Sequence, residues 1–452
     1  MKKSLVLMAM AGVALAGCVA DKEFEPSFQQ EQAKITFGAP VMYDNNVGSR
    51  AVYHGEINSF VYGSAIRSYP RDERFKIFAV KYSNTLTAFP GWTNAQPALF
   101  NEKIAHRDQS LDGWIPQKGE GEGDDPYYYW PSDMKLAYAA CSPADLEQGA
   151  DWDDKTQRTY GATGLKITNF KVPASAENHF DLLFSKRHVG MTKELMYGTA
   201  DKYSGSPIEF QHALSSIHFS LLNESESTDV ILQKISLFGV YDTGTFNENI
   251  YNEFVPYDRS NAQVVSPAWT EQDNIVNENL AYVAFDATQK DDEGKDIYKG
   301  LQFPSNAQYI SSLMAEEGNE DAGVNHVLLL LPQTLPANAE LRIDYKVVNG
   351  ANTVNAHKKV LLNNALKLDA TTNKPSATDK INEWVLGTKY TYRLVYSSAA
   401  AKADKIYFAP STEGWIDAGV AVIDLAGAAS VTPPSSDPDE EENKTPGETD
   451  TP

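Results

Sequence analysis

Short runs of aromatic and β-branched residues, each closed by Gly, Pro, Asn or Asp, recur along this chain and confine it to the all-β class. The first clear run is Phe75-Lys76-Ile77-Phe78-Ala79-Val80-Lys81-Tyr82. Others lie at 165–172, 210–222, 230–240, 327–331, 341–348, 358–362, 390–396, 405–409 and 419–425. Strict alternation in 165–172 puts Leu165, Ile167, Asn169 and Lys171 on one face, with Lys166, Thr168, Phe170 and Val172 on the other. In 210–222 the apolar phase passes from Phe210 and Leu214 to Ile217, Phe219 and Leu221, as a bulge or bend would require. Helical periodicity is confined to 143–149 and 307–317. With no βαβ alternation and no repeat of 20–50 residues, doubly wound sheets, solenoids and propellers are disfavoured. Two sandwich domains in tandem are expected, with long loops at 84–125 and 242–305. Phe78, Leu136, Tyr138, Leu183, Leu214, Phe219, Trp384 and Tyr392 are expected to be buried.

The N-terminus reads as an export signal. Lys2 and Lys3 precede an apolar run over 5–16, shorter than the ~20 residues a bilayer span needs. That run ends in Leu15-Ala16-Gly17-Cys18, small residues before a cysteine, as a lipoprotein signal peptidase requires. Cys18 is therefore the expected site of lipidation and the new N-terminus, with a palmitate-bearing anchor in the outer membrane. Lipidation leaves Cys141 without an intrachain partner, so the fold must be held by burial. Cys141, within Leu136-Ala137-Tyr138-Ala139-Ala140-Cys141, reads as a small buried hydrophobe.

Composition sets further bounds. The net charge of −22 grows more negative once Lys2 and Lys3 leave, which disfavours nucleic acid and anionic membrane surfaces. Residues 19–33 read as a polar tether. Residues 437–452 carry Asp437, Asp439, Glu440, Glu441, Glu442, Glu448 and Asp450 against Lys444, a composition too polar to order itself. The expected organisation is a signal peptide at 1–17, a lipidated pro-segment at 18–50, an N-terminal sandwich at 51–205, a C-terminal sandwich at 206–428 and an acidic tail at 429–452.

Motifs for catalysis are missing. The sequence has no nucleophile elbow, P-loop or dinucleotide glycine motif, and its eight histidines include no pair at zinc-ligand spacing. His212 and His218, in a predicted strand, read as packing or hydrogen-bonding residues. Asp291-Asp292-Glu293-Gly294 lacks the alternating ligands of a calcium loop. No enzyme, cofactor or metal is expected. Most aromatics fall in strand-like runs and read as packing groups. Trp92 and Trp114, in loop-like surroundings, are retained as candidate ligand aromatics.

Several segments, in order, resemble the fimbrillin family of type V pilus subunits. They are the run at 75–82; Tyr129-Trp130-Pro131 with 136–143; Phe180-Asp181-Leu182-Leu183-Phe184; Phe210-Gln211-His212-Ala213-Leu214-Ser215; Trp384-Val385-Leu386-Gly387-Thr388-Lys389-Tyr390-Thr391-Tyr392; and Trp415 before the last strand. The likeness spans about residues 18–425. Departures are Cys141, where an aromatic or aliphatic residue is commoner, and the acidic tail beyond Leu425. The expected fold class is then all-β, two antiparallel β-sandwich domains of transthyretin-like, Greek-key type.

The resemblance implies assembly rather than catalysis. A surface protease, Arg-specific in such families, removes the lipidated segment, and a strand from the next subunit fills the vacated groove. Ala33, Ile35, Phe37, Ala39 and Val41 alternate, so Ile35, Phe37, Ala39 and Val41 are the candidate groove fillers. Val420, Val422, Ile423 and Leu425 are the candidate donor strand. Asn45-Asn46-Val47-Gly48-Ser49-Arg50-Ala51 offers a small, polar site for cleavage between Arg50 and Ala51. Implied partners are other pilus subunits, the outer membrane through the lipid, and a host or bacterial surface protein or glycan. The rival reading is a surface glycan-binding lipoprotein using Trp92 or Trp114.

Overall fold

The computed structural model describes residues 34–35, 37, 41–42, 74–92, 98–108, 113–116, 127–144, 156–174, 176–185, 187–193, 195, 206, 208–248, 268–275, 281–290, 293–295, 299–316, 327–369, 374–397 and 416–424. Cys18, Ala39, Arg50, Ala51, Leu425, the expected strand at 405–409 and the tail lie outside them. The described chain is nearly all β, with one short α-helix, Ile310–Glu316, inside the helical window read from the sequence.

Four main sheets carry the fold. The largest runs in the order Val41–Met42, Glu209–His212, Leu183–Ser185, Met134–Ser142, Phe75–Ser83, Ala98–Asp108, Gly113–Pro116, and His188–Met191 also pairs with Met134–Ser142. A four-stranded sheet takes Ala268–Ile275, Tyr241–Asn247, Gly164–Lys171 and Gln157–Gly161. A seven-stranded sheet is ordered Gln308–Tyr309, Ser215–Asn223, Thr388–Tyr396, Ile416–Asp424, Leu366–Asp369, Lys374–Lys380, with Leu328–Leu330 beside Ser215–Asn223. A five-stranded sheet is ordered Tyr282–Asp286, Asp229–Phe238, Glu340–Asn349, Asn352–Leu361, with Leu301–Gln302 beside Asp229–Phe238.

Side-chain alternation on these strands builds two cores. Phe75, Ile77, Ala79, Tyr138, Ala140, Leu183 and Phe210 face one cluster. On the opposite faces of the same strands, Phe78, Cys141 and Phe184 join a second, larger cluster that runs through all three other main sheets. Here Phe78 stacks on Tyr160 at 5.1 Å and Phe184 meets Phe246 at 5.1 Å. All eight residues expected in the core are at most 2 % exposed. Cys141 is fully buried, and the Arg158 Nη1 donates to its Sγ at 3.4 Å.

Three features differ from the sequence reading. The long loops expected at 84–125 and 242–305 contain the strands Ala98–Asp108, Gly113–Pro116, Tyr241–Asn247, Ala268–Ile275 and Tyr282–Asp286. Asn101, Glu102, Lys103, His106, Arg107 and Asp108 are poor strand formers, but pairing with Phe75–Ser83 outweighs so weak a propensity. Alternation through 165–172 also breaks, because Leu165, Ile167 and Phe170 are all buried. Asn169 sits at φ 53°, a region Asn tolerates, and the ladder to Tyr241–Asn247 shifts register between Gly244 and Phe246. Finally, Ser215–Asn223 with Thr388–Tyr396, Thr388–Tyr396 with Ile416–Asp424, and Val41–Met42 with Glu209–His212 pair in parallel. Alternation reports which face is buried, not which strand lies beside it or in which direction.

The phase change read at 210–222 corresponds to a bend at Ala213 and Leu214. Glu209–His212 ends in the largest sheet and Ser215–Asn223 begins in the seven-stranded one. This bend is fastened on several sides. Ala213 N–H donates to Leu182 O at 2.8 Å, Gly387 N–H to Leu214 O at 2.8 Å, and Trp269 Nε1 to Ala213 O at 2.6 Å.

Candidate functional site

The segment around Ile35 and Phe37 occupies a position that no single strand pattern discloses. Without it, the largest sheet would be open, with Gly113–Pro116 at one end and Glu209–His212 at the other. Phe37 is joined to both ends. Its N–H donates to Trp114 O at 2.8 Å, Trp114 N–H donates back to Phe37 O at 2.8 Å, and on the other side Phe37 bridges Ser206 in parallel. The parallel side continues as Val41 with Glu209 and Met42 with Phe210. The antiparallel side continues as Lys34 with Tyr129, where Ile35 N–H donates to Tyr128 O at 2.7 Å. The first strand is thus a seam: it closes the strand ladder on itself.

Its side chains fill the space enclosed. Ile35 and Phe37 are each 1 % exposed. The Phe37 ring meets Tyr138 edge-on at 5.2 Å, Tyr138 stacks on His188 at 5.0 Å, and Phe75 packs edge-on against Phe210 at 5.8 Å. Lys34 stays at the margin, its Nζ 3.7 Å from the centre of the Tyr127 ring. Backbone pairing of this kind is generic. The apolar hold is specific, worth about 2–3 kcal/mol per buried side chain of this size.

A buried hydrogen-bonded pair lies at the bend beyond the seam's parallel partner. His212 Nδ1 and Asp181 Oδ2 are 2.5 Å apart, with the side chains 6 % and 0 % exposed. Burial raises the Asp181 carboxyl above its ordinary range, opposed by the neighbouring His212. The sequence reading of His212 as a hydrogen-bonding residue left its partner, 31 residues away, unidentified. Nothing in local spacing signals it.

A second buried acid clamps the outer layer of the same region. Glu248 Oε2 accepts from Leu165 N–H at 2.6 Å, while Glu248 N–H donates to Leu165 O at 2.9 Å. Burial pushes its carboxyl up to about 8, against the lowering effects of that hydrogen bond and of Arg187. Among the described residues no group of three or more His, Cys, Asp or Glu could hold a metal ion. Nor is any described helix long and apolar enough to cross a membrane.

The remaining candidates separate. Trp114 is in a strand rather than a loop and is 2 % exposed, its ring 6.5 Å from that of Phe75. Trp92 is partly buried, 4.4 Å from Tyr160 and 6.2 Å from Phe89. Strand pairing turns Trp114 inward, which removes it from an open aromatic platform, whereas Trp92 lies in a turn, partly exposed beside Tyr160 and Phe89. Val420, Val422 and Ile423 lie on Ile416–Asp424, which is an interior strand between Thr388–Tyr396 and Leu366–Asp369.

No protein-family model matches the chain, and no curated protein matches it. Among solved structures it is similar to a "putative cell adhesion protein" of Bacteroides uniformis ATCC 8492, at 12 % identity and TM-score 0.34, covering 82 % of this chain and 94 % of that one. A protein of the same description from Parabacteroides distasonis ATCC 8503 matches at 10 % identity and TM-score 0.32, covering 86 % and 98 %. A fimbrial assembly protein from that same organism matches at 9 % identity and TM-score 0.24, covering 72 % and 99 %. Likeness at this level leaves the function to be read from the chain's own residues.

Proposed function

We propose that this chain is a structural subunit of a cell-surface pilus, delivered as an outer-membrane lipoprotein and assembled by exchange of its first strand. The observation that carries this reading is the seam. One strand near the N-terminus, lying between the expected lipid site at Cys18 and the expected cleavage site at Arg50, closes a ladder whose other members come from 75–212. Its loss frees two strand edges at once and bares the apolar space around Phe75, Trp114, Tyr138 and Phe210. Free edges with an apolar lining bind an added strand, main-chain bonds giving affinity and alternate side chains giving register.

In this reading cleavage after Arg50 releases residues 18–50, and a strand of a neighbouring subunit takes the place of Ile35 and Phe37. The role is binding and assembly, not catalysis, and adhesion follows from the polymer. Val420, Val422, Ile423 and Leu425 remain the candidate donor residues. Since Ile416–Asp424 is held between two strands of its own sheet, donation would require that sheet to part.

The test is N-terminal sequencing of protein sheared from cells, with gels run unboiled. Heat-labile ladders built from chains that start at Ala51 are the expected result. Polymers built from chains still starting at Cys18 would overturn strand exchange, and the absence of any polymer would overturn the pilus reading.

A further inference from the structure

The strand Asn352–Leu361 is the edge of the five-stranded sheet, and among the described residues it pairs with Glu340–Asn349 alone. That ladder is unbroken from Asn349 with Asn352 to Glu340 with Leu361, so the far side of a ten-residue strand presents its own row of N–H and C=O groups. Residues 352–355, 357, 359 and 361 are exposed. Val354 and Leu361 are 42 % and 39 % exposed, unusual for large apolar side chains here. Long flat edges of this kind invite another strand unless charge or a covering segment prevents it.

The charge at this edge is opposite to that of the protein. In a chain of net charge −22, residues 345–368 contain no Asp or Glu but hold Lys346, Lys358, Lys359 and Lys367, while His357 already lies 2.6 Å from Asp344 of the neighbouring strand. A second copy docked edge to edge would set Lys358 and Lys359 of the two strands against each other, which disfavours self-pairing. An acidic extended segment meets no such penalty.

We infer that this edge docks an acidic peptide by strand addition, and that its occupant is the chain's own tail at residues 439–445. Asp439-Glu440-Glu441-Glu442-Asn443-Lys444-Thr445 is the interval between Pro438 and Pro446, and therefore keeps every N–H a ladder needs. Alternation places Asp439 and Glu441 on one face and Glu440 and Glu442 on the other, so acids meet Lys359 on the exposed face and Lys358 on the face shared with half-buried Ala356 and Val360. Residues 425–438 supply a reach of about 45 Å from the end of Ile416–Asp424. This surface is separate from the seam and stands or falls independently of strand exchange.

The test compares hydrogen exchange in the Cys18→Ala chain, full length and ending at Ser430. Exchange over 352–361 should be at least about tenfold slower in the full chain, return to the faster rate on truncation, and slow again on adding a peptide of residues 436–446. Lys358→Glu combined with Lys359→Glu should abolish the peptide's effect, and raising salt should weaken it. Equal exchange in the two chains would overturn the inference. So would protection that survives truncation and tracks a doubled mass in light scattering, which would assign the edge to a second copy.

Discussion

The strands nearest the two ends of the described chain are both interior members of their sheets, yet they are held by different means. Ile416–Asp424 lies along Thr388–Tyr396 in a parallel ladder from Thr388 with Ile416 to Val395 with Asp424, interrupted by one register shift. Among its described residues, the first strand makes isolated bridges at Lys34 and Phe37 and a two-residue ladder at Val41–Met42. It adds Ile35 and Phe37, each almost wholly buried among aromatic rings. A strand fixed by side chains in an enclosed space is one that a substitute of similar side chains can replace. A strand fixed by a long ladder in mid-sheet is far harder to extract.

Deleting residues 33–42 should give the largest effect. Amide protection is expected to vanish in Gly113–Pro116 and Glu209–His212 while Thr388–Tyr396 keeps its own, and a dye that reports apolar surface should bind. Equal loss in both regions would show that the seam supports the whole molecule and would break the comparison. Phe37→Ala keeps the backbone seam but removes its filling, and should cost about 3–5 kcal/mol in denaturant unfolding. A cost below about 1 kcal/mol would mean that backbone pairing, not the ring, holds the strand.

Glu248 sharpens the same contrast through pH. It sits on the four-stranded layer packed against the outer face of the seamed sheet, not on the seam itself. Its folded-state value of about 8 lies above the ordinary 4.5, so folding takes up a proton between those values. The stability it permits is therefore intact below about pH 4.5 and is lost as pH rises through 8. Glu248→Gln retains an acceptor for Leu165 N–H without the charge. It should flatten that decline, gaining up to about 5 kcal/mol over wild type at the alkaline end. A melting-temperature difference that does not change with pH would refute the assignment.

The smallest effect is expected at Gly387, where φ is +66° and a Cβ would meet only His212 O at 3.5 Å and His212 Cβ at 4.0 Å. Gly387→Ala should cost about 1–2 kcal/mol, from the left-handed backbone alone, and leave seam protection unchanged. Loss of protection at Glu209–His212 would instead show that the bend couples the two regions.

Legibility in the sequence followed the range of the interactions involved. The all-β class, the eight core residues and the short helix were written in local alternation and turn chemistry, which act over a few residues. So was the apolar face of Ile35 and Phe37. Trp384, Tyr390 and Tyr392, read as inter-strand packing groups, interlock through Trp384 Nε1 donating to Tyr392 Oη at 3.1 Å and Val385 N–H donating to Tyr390 Oη at 2.7 Å. By contrast, Ala98–Asp108 and Ala268–Ile275 were hidden because their residues favour loops and only a neighbouring strand makes them extended.

What the sequence determined by itself is therefore which residues point inward along the strands that local alternation reveals, save where a bulge such as that at Asn169 shifts the phase. Tertiary structure alone decided that Phe37 joins Trp114 to Ser206, that His212 meets Asp181, and that Asn352–Leu361 is the outermost described strand of its sheet. The physical reason is that alternation is a property of one strand's own backbone. Partner, direction and closure depend on groups tens to hundreds of residues apart, brought together only when the apolar faces collapse onto a common core.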